Sequence, residues 1–323
     1  MCEAARRRNV QGRRRWIWKR WRAFLALWIV PAALAACATQ KTFSSPEEGT
    51  ASFVEAVRLD DEPMLRAILG SEGTVLIRSG DAVADERART AFLEAYDEKN
   101  HLEQEGDGST RLVVGQNKWP MPIPLVKTSA GWQFDTASGE QEILARRIGR
   151  NELATIQVCL AIVDAAHEYA IRDPDGNGMP EYPAKFVSTP GKRDGLYWPA
   201  KPDEPQSPLG PLLAAATSEG YTDAVSRPLA PYHGYFYRIL TQQGHAATGG
   251  THDYIVKGHM IGGFAVMAYP AEYGVSGIMT FLVNQDGILY EKNLGEHTSA
   301  IALRMMSFNP DAGWSRVARA ENR

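Results

Sequence analysis

The stretch GEQEILARRIGRNELATIQVCLAIVDAAHEYAIR, residues 139–172, carries the strongest periodic signal in the chain. Its apolar residues recur at steps of three, four and five, the spacing of one face of a helix. They are Ile143, Ile148, Leu153, Ile156, Leu160, Val163 and Ala170. We therefore predict one long helix from about Gly139 to Arg172. Cys159 lies on or beside this face, and we predict a small buried side chain there rather than a nucleophile.

The segments after residue 230 alternate between apolar and polar residues or run apolar over short lengths, which is typical of strands. They are Tyr235–Thr241, Gly263–Tyr269, Gly277–Val283 and Ile288–Lys292, with Asp286-Gly287 as a hairpin signal before the last. Their connections are too short for crossover helices, so we expect antiparallel pairing. The long helix has an apolar face to bury, and we predict that it packs on this sheet.

Before the long helix, the pattern predicts helices and a small sheet. Helices begin at Ser45-Pro46-Glu47-Glu48, at Asp60-Asp61-Glu62-Pro63 and at Asp85, and Gly70 ends the second. Strands are predicted at Thr74–Arg78, Arg111–Val114, Ile123–Thr128 and Gly131–Asp135. The chain is thus predicted to be α+β, with N-terminal helices and a small antiparallel sheet in residues 37–137. The long helix and the C-terminal antiparallel sheet would occupy residues 138–323.

The first 36 residues are typical of an export signal peptide. A basic segment precedes the apolar run AFLALWIVPAALAA (23–36), which is too short to span a membrane as a helix. The run ends in Leu34-Ala35-Ala36-Cys37, which resembles the bacterial lipobox. That resemblance implies cleavage before Cys37, diacylation of its sulfur and, with Ala38 next, a periplasm-facing position on the outer membrane. An ordinary signal peptide with a chance cysteine is the alternative.

Removal of residues 1–36 makes the chain strongly acidic. The whole chain has 35 basic and 38 acidic residues, a net charge of −3. Residues 1–36 hold nine of the basic residues and one acidic residue, Glu3, which leaves 26 basic and 37 acidic residues and a net charge of −11. Such a chain has no electrostatic attraction for nucleic acid. With Cys2 removed and Cys37 acylated, Cys159 has no partner for a disulfide.

Several long motifs occur in order in the second half of the chain. They are STPGKRDGLYWP (188–199), SPLGPL (207–212), PYHGYFYRIL (231–240), MIGGFAVMAYPAEYG (260–274), TFLVNQDGILYEKNLG (280–295) and FNPDAGW (308–314). Together they resemble the bacterial family known as domain of unknown function 2950, over about Phe43 to Val317. That family has no established activity, so the resemblance implies no catalytic residues.

Another set of features lies in residues 138–295. It comprises Asn151-Glu152, LAIVDAAHEYA (160–170), GYFY (234–237), Ala-Tyr-Pro (268–270) and FLVNQDG (281–287). In this order they are similar to pilin-like proteins, in which one helix crosses a four-stranded antiparallel sheet. A pilin helix begins at the membrane after a special leader peptide, whereas this helix begins about 100 residues into the mature chain. The similarity therefore implies a domain shape and not a filament.

The loop RDPDGNGMPEY, residues 172–182, spaces oxygen ligands as in the first half of a calcium-binding loop. Asp173, Asp175 and Asn177 take positions 1, 3 and 5, Met179 offers a backbone carbonyl at 7, and Glu181 falls at 9. The acid expected at position 12 is missing, and two prolines prevent a following EF-hand helix. Two hypotheses stay open: a loop that holds one structural Ca2+, and a turn that ends the helix without an ion.

Four histidines between residues 233 and 259 offer another kind of site. His233, His252 and Asp253 could supply metal ligands or a general base, as in a periplasmic hydrolase. No tight ligand spacing such as H-E-x-x-H occurs among them, and hydrogen-bonded structural histidines are the alternative. We expect a lipid-anchored envelope protein that acts as a non-catalytic interaction or ligand-binding module, for an envelope protein or ligand still to be identified. The hydrolase is the alternative hypothesis.

Overall fold

The computed structural model describes residues 40–174, 176–201, 203–221 and 230–318. Contacts group residues 38–323 into one unit, and its buried apolar side chains form two hydrophobic cores. The chain is α+β, as predicted, with N-terminal helices and a small sheet before a long helix and a C-terminal antiparallel sheet.

The first two helices begin where the sequence places their caps. α1 (Pro46–Arg58) follows Ser45, whose Oγ accepts a hydrogen bond from the Glu48 amide at 3.2 Å. α2 (Glu62–Leu69) follows Asp61, whose carboxylate caps the Met64 amide at 3.0 Å, and it ends at Gly70. These caps satisfy amides that the first turn of a helix leaves without partners.

The predicted strand at Thr74–Arg78 is wrong, because this segment is helical. A 3-10 turn at Ser71–Gly73 leads into α3 (Thr74–Ile77). The Arg147 guanidinium donates to the carbonyls of Val75 and Leu76 at 2.8 and 2.9 Å. The last carbonyls of a helix have no partners within it. A distant arginine therefore helps to stabilise a helical turn where the β-branched pattern favours a strand.

α4 (Ala82–Glu98) begins three residues before the predicted start at Asp85. Asp81 caps it by accepting a hydrogen bond from the Ala84 amide at 3.0 Å. Its apolar face packs on the first core, where the ring centroids of Phe92 and Phe53 lie 5.8 Å apart. The position of this helix defines one wall of the groove described below.

An antiparallel sheet completes the N-terminal part. Its strands are β1 (Asn100–Gln104), β2 (Thr110–Val114), β3 (Trp119–Pro120), β4 (Leu125–Thr128) and β5 (Gly131–Phe134). They run in the order β1-β2-β4-β5, with β3 beside β2. Thr128 pairs with Gly131, so the predicted hairpin turn between β4 and β5 is confirmed. With α1 and α2, this sheet encloses the first core.

The long helix, α5 (Thr136–Arg172), joins the two cores. It begins three residues before the predicted start because Asp135 caps it, and its 37 residues extend about 55 Å at 1.5 Å per residue. Ile143 in its first half packs on the first core. Cys159, Val163 and Tyr169 in its second half belong to the second core.

The C-terminal sheet is antiparallel, as predicted. After α6 (Gly210–Ser218), β6 (Tyr235–Leu240) leads into two short pairs: β7 (Gln242–Gln243) with β8 (His252–Asp253), and β9 (Ile255–Val256) with β10 (His259–Met260). β11 (Ala265–Pro270), β12 (Met279–Asn284), β13 (Leu289–Asn293), α7 (Thr298–Arg304) and β14 (Ser315–Arg316) follow. The sheet order is β14-β13-β12-β11-β6.

The side chains of β6 point alternately toward two helices, one on each face of the sheet. The Tyr237 hydroxyl lies 3.3 Å from Thr155 Oγ1 in α5. Arg238, on the opposite face, donates to the Ala302 carbonyl in α7 at 2.9 Å. Because successive side chains of a strand point to opposite faces, α5 and α7 cover the two sides of the sheet. This explains why β11 is buried at every position.

Candidate functional site

A groove of about 490 Å³ opens between α1, α2, α4, β2 and the first half of α5. Most of its wall is apolar. The apolar side chains include Phe53, Val57, Leu65, Leu69, Leu76, Ile77, Phe92, Val114, Met121, Pro122, Ile123 and Ile143. Small-molecule sites are concave, mostly apolar and roughly 300–1,000 Å³ in volume. The groove therefore has the size and the wall of a ligand site.

Small residues on α4 leave the space that the groove occupies. Ala88, Ala91 and Ala95 line it, and their spacing of three and four residues places them on one helix face. A methyl group at each position fills little of the space in front of the helix. A larger side chain at Ala91 would occupy volume that is open now.

Four arginines line the groove beside its apolar wall. Arg89 comes from α4, and Arg146, Arg147 and Arg150 come from one side of α5. The acidic lining residues are Asp60 and Asp85, so the lining side chains carry four positive and two negative formal charges, a net charge of +2. This contrasts with the negative charge of the chain as a whole.

Arg147 holds a positive charge in the wall, and no carboxylate of the described residues forms an ion pair or a hydrogen bond with it. Its guanidinium donates to the two α3 carbonyls, which are neutral acceptors. Burial lowers the pKa of Arg147 from its usual value, and the charge of Asp85 partly opposes this effect. A guanidinium nevertheless stays protonated in proteins. A half-buried cation with only dipolar partners favours the approach of an anion.

The other arginines differ in how well they are neutralised. Arg146 pairs with Glu142 one turn earlier in α5, and Arg89 pairs with Glu86 and with Asp60, the latter at 3.3 Å. Arg150 is exposed and has no ion pair or hydrogen bond with a described residue. Arg147 and Arg150 are therefore the cations most available to a ligand.

A second polar cluster joins α4 to the C-terminal part of the chain. Asp81 is 1 % exposed, and its Oδ2 accepts from the Tyr221 hydroxyl and from the Gly234 amide, both at 2.8 Å. These donors lie 140 and 153 positions further along the chain. The carboxylate thus ties the start of α4 to the turn before β6, which is a structural role.

His233 lies in that turn, with a positive φ of 51°. Its Nε2 is 3.5 Å from Glu219 Oε2, which also accepts from Arg87 at 2.9 Å. Its ring contacts the ring of Tyr232, with 4.1 Å between centroids. Burial lowers the pKa of His233, while the Glu219 charge opposes this shift. The surroundings favour the neutral imidazole that packs between an aromatic ring and an already paired carboxylate.

His252 and Asp253 lie at the other end of β6. They form β8, which pairs with β7 beyond the end of β6, whereas His233 precedes its start. The six residues of β6 cover roughly 15 Å or more at about 3.3 Å per residue. His252 Nε2 lies 3.2 Å from the Gly262 carbonyl. The three side chains that the hydrolase hypothesis requires therefore do not share one site.

The residues of the predicted calcium loop form a hydrogen-bonded turn at the end of α5. Asp173 has a φ of 45° and accepts from the Asn177 amide at 3.1 Å, and Asn177 Oδ1 accepts from the Met179 amide at 2.7 Å. Glu181 contacts Asn177, and its Oε2 lies 3.1 Å from a histidine nitrogen of β10. Asp175 lies outside the described residues. Among the described residues, no group of three His, Cys, Asp or Glu side chains could hold a metal ion. Because Asp175 is not among them, the calcium site stays a prediction.

Cys159 is the small buried residue that the sequence predicts. It is fully buried in the second core, and burial raises its pKa to about 12. A thiol with such a pKa carries almost no thiolate at neutral pH and does not act as a nucleophile.

The predicted lipidation site, Cys37, and the signal segment 1–36 lie outside the described residues. Within the ranges that are described, none of the helices combines the length and the apolar composition needed to cross a membrane.

The arginines of the groove are the feature that sequence reasoning missed. A signal for them exists, because RRIGR (146–150) places three arginines within five residues of an amphipathic helix. The periodicity of the apolar residues predicts the helix, but it does not show that this half faces a groove. That information comes from the packing of α5 against α3, which leaves the groove open between α5 and α4.

A comparison with known protein families gives a match over most of the chain. A family model described as protein of unknown function (DUF2950) matches residues 40–317, which confirms the resemblance found in the motifs. No curated protein and no solved structure matches the chain. The similarity to pilin-like proteins is therefore not confirmed.

Proposed function

The chain belongs to the DUF2950 family of proteins of unknown function, and we infer its function from its own residues. We propose that it is a lipid-anchored, periplasm-facing protein of the outer membrane that binds a small, mostly apolar molecule without catalysing a reaction. The observation that carries the binding function is the apolar groove between α4 and α5. The observation that carries the anchor is the motif Leu34-Ala35-Ala36-Cys37.

The absence of a catalytic arrangement around the groove supports binding rather than chemistry. Among the described lining residues, the titratable groups are Asp60, Asp85 and the four arginines. Asp60 forms an ion pair with Arg89, and Asp85 accepts a hydrogen bond from the Ser79 amide at 3.0 Å. A nucleophile or a general base has to be free to contact the substrate, and both carboxylates of the lining are already engaged. The groove offers apolar surface and fixed positive charge instead.

Filling the groove tests this proposal. We expect the Cys37→Ala chain, which has no acyl chain of its own, to bind the neutral apolar fluorophore N-phenyl-1-naphthylamine saturably. Ala91→Phe in the same background should weaken this binding at least tenfold, because the phenyl ring occupies the groove. Fluorescence titration measures both affinities.

The matched control is Ala214→Phe, at an exposed position in α6 that does not line the groove. It should leave fluorophore affinity unchanged, and thermal unfolding should show that both variants are folded. Equal affinity of the Ala91→Phe and Ala214→Phe chains, or no saturable binding at all, would contradict the proposal.

The anchor has its own test. We expect Cys37→Ala to move the protein from the membrane fraction to the soluble periplasmic fraction, because membrane attachment through two acyl chains is stable and is lost with the thiol that carries them. Cys2→Ala is the matched control, since Cys2 lies in the segment that cleavage would remove. Fractionation followed by immunoblotting measures the distribution. Retention of the Cys37→Ala chain in membranes would rule out the anchor.

A further inference from the structure

The charge of the groove points to a narrower class of ligand. We propose that the groove holds a long-chain fatty acid, with the hydrocarbon chain along the apolar wall and the carboxylate at the arginines of α5. This inference rests on the proposed binding function. It adds the chemical class of the ligand, which the apolar wall alone does not define.

The two parts of the ligand correspond to two parts of the groove. Phe53, Leu65, Leu69 and Ile123 are buried lining residues, so the apolar end lies deep between the helices and the sheet. Arg150 is exposed, so the charged end faces solvent. An amphiphile with one apolar chain and one small polar group fits a site that is apolar inside and polar at its opening.

The headgroup is assigned as an acid because the lining charges are mainly positive and two of the cations have no carboxylate partner among the described residues. Among the described residues, Arg147 donates hydrogen bonds to carbonyls alone and Arg150 has no ion pair. The two acids of the wall are already engaged, Asp60 by Arg89 and Asp85 by the Ser79 amide. A guanidinium binds a carboxylate through parallel, charge-assisted hydrogen bonds, which an alcohol or an amine cannot reproduce.

The test compares two ligands that differ only in the headgroup. Palmitic acid and hexadecanol, each below its aggregation limit, displace the naphthylamine fluorophore from the Cys37→Ala chain. We expect the acid to bind at least tenfold more tightly than the alcohol. In the Arg147→Gln/Arg150→Gln chain the affinity for the acid should fall to that for the alcohol, whereas the affinity for the alcohol should not change. Because Arg147 also supports α3, the unchanged affinity for the alcohol checks that the groove keeps its shape, and the Arg150→Gln chain, which keeps that support, should lose part of the preference for the acid.

Arg316→Gln is the control for a general loss of positive charge, because Arg316 is exposed in β14 and outside the groove. It should keep the preference for the acid. Equal binding of acid and alcohol by the unsubstituted chain would overturn the fatty-acid assignment and leave the binding function standing. A preference that survives the double substitution would overturn the arginine headgroup site. Failure to bind the fluorophore and both ligands would overturn the proposed function itself.

Discussion

Replacement of Asp81 by alanine should lower the free energy of unfolding by about 3 kcal/mol, the largest effect that we expect from removing a single polar group. The carboxylate is buried and holds three hydrogen-bond donors: the Tyr221 hydroxyl, the Gly234 amide and the Ala84 amide. Without it, two buried donors lose their acceptor, at about 1–3 kcal/mol each. The lost helix cap adds about 1 kcal/mol. Relief of the buried charge offsets part of this sum.

Tyr221→Phe separates the contribution of one hydrogen bond from that of the whole cluster. The phenylalanine keeps the contact with Tyr232, whose ring lies 4.8 Å away in an edge-on arrangement. It removes only the hydroxyl that donates to Asp81. We expect a loss of about 1 kcal/mol for this variant.

Urea unfolding followed by circular dichroism measures both losses. The Asp81→Ala chain should unfold at a clearly lower urea concentration than the Tyr221→Phe chain. Similar stability of the two variants would mean that the Gly234 and Ala84 contacts contribute nothing. Asp81→Ala should also leave palmitate affinity unchanged in folded protein, because Asp81 does not line the groove.

The Asp81 cluster shows why the sequence predicts helices better than it predicts contacts between them. Ser45, Asp61 and Pro46 are local signals, because a cap and its amide lie three residues apart. The periodicity of residues 139–172 is local in the same sense, and the predicted helix is confirmed to within three residues at its start. The bond between Asp81 and Gly234 spans 153 positions, and no spacing rule connects such residues.

The wrong prediction at Thr74–Arg78 has the same physical origin. Its β-branched residues favour a strand, and contacts outside the segment stabilise the helical turn, among them those of Arg147, more than seventy positions away. The groove depends on the same packing, since one of its walls comes from α4 and another from α5. Residue types indicate the chemistry that a site could have. The relative positions of the helices decide whether those residues meet, as they do at the arginines and do not at His233 and His252.

Gly277→Ala should destabilise the protein by about 3 kcal/mol, at the upper end of the usual effect of overpacking a core. A Cβ atom at this position would lie 2.0 Å from the Tyr235 hydroxyl oxygen and 2.4 Å from the ring carbon that bears it. Tyr235 is fully buried and donates to the Met279 carbonyl at 3.0 Å, so its ring is held in place. The adjacent Ile278 and Met279 amides both donate to Glu152 of α5, at 2.9 Å.

Glu152 and Tyr235 hold the backbone at the start of β12 from two sides. A movement of this backbone or of the Tyr235 ring that makes room for the methyl group therefore breaks existing hydrogen bonds. Gly149→Ala is the matched control: its Cβ meets no atom within 4 Å, and it lies inside α5, where alanine is favoured over glycine by about 0.5–1 kcal/mol. The same substitution should therefore raise stability at Gly149 and lower it at Gly277. In the Gly277→Ala chain, Tyr235→Phe should restore only part of the loss, since the ring carbon still clashes. Wild-type stability of the Gly277→Ala chain in urea would show that the backbone at the start of β12 can move, and the steric argument would then be wrong.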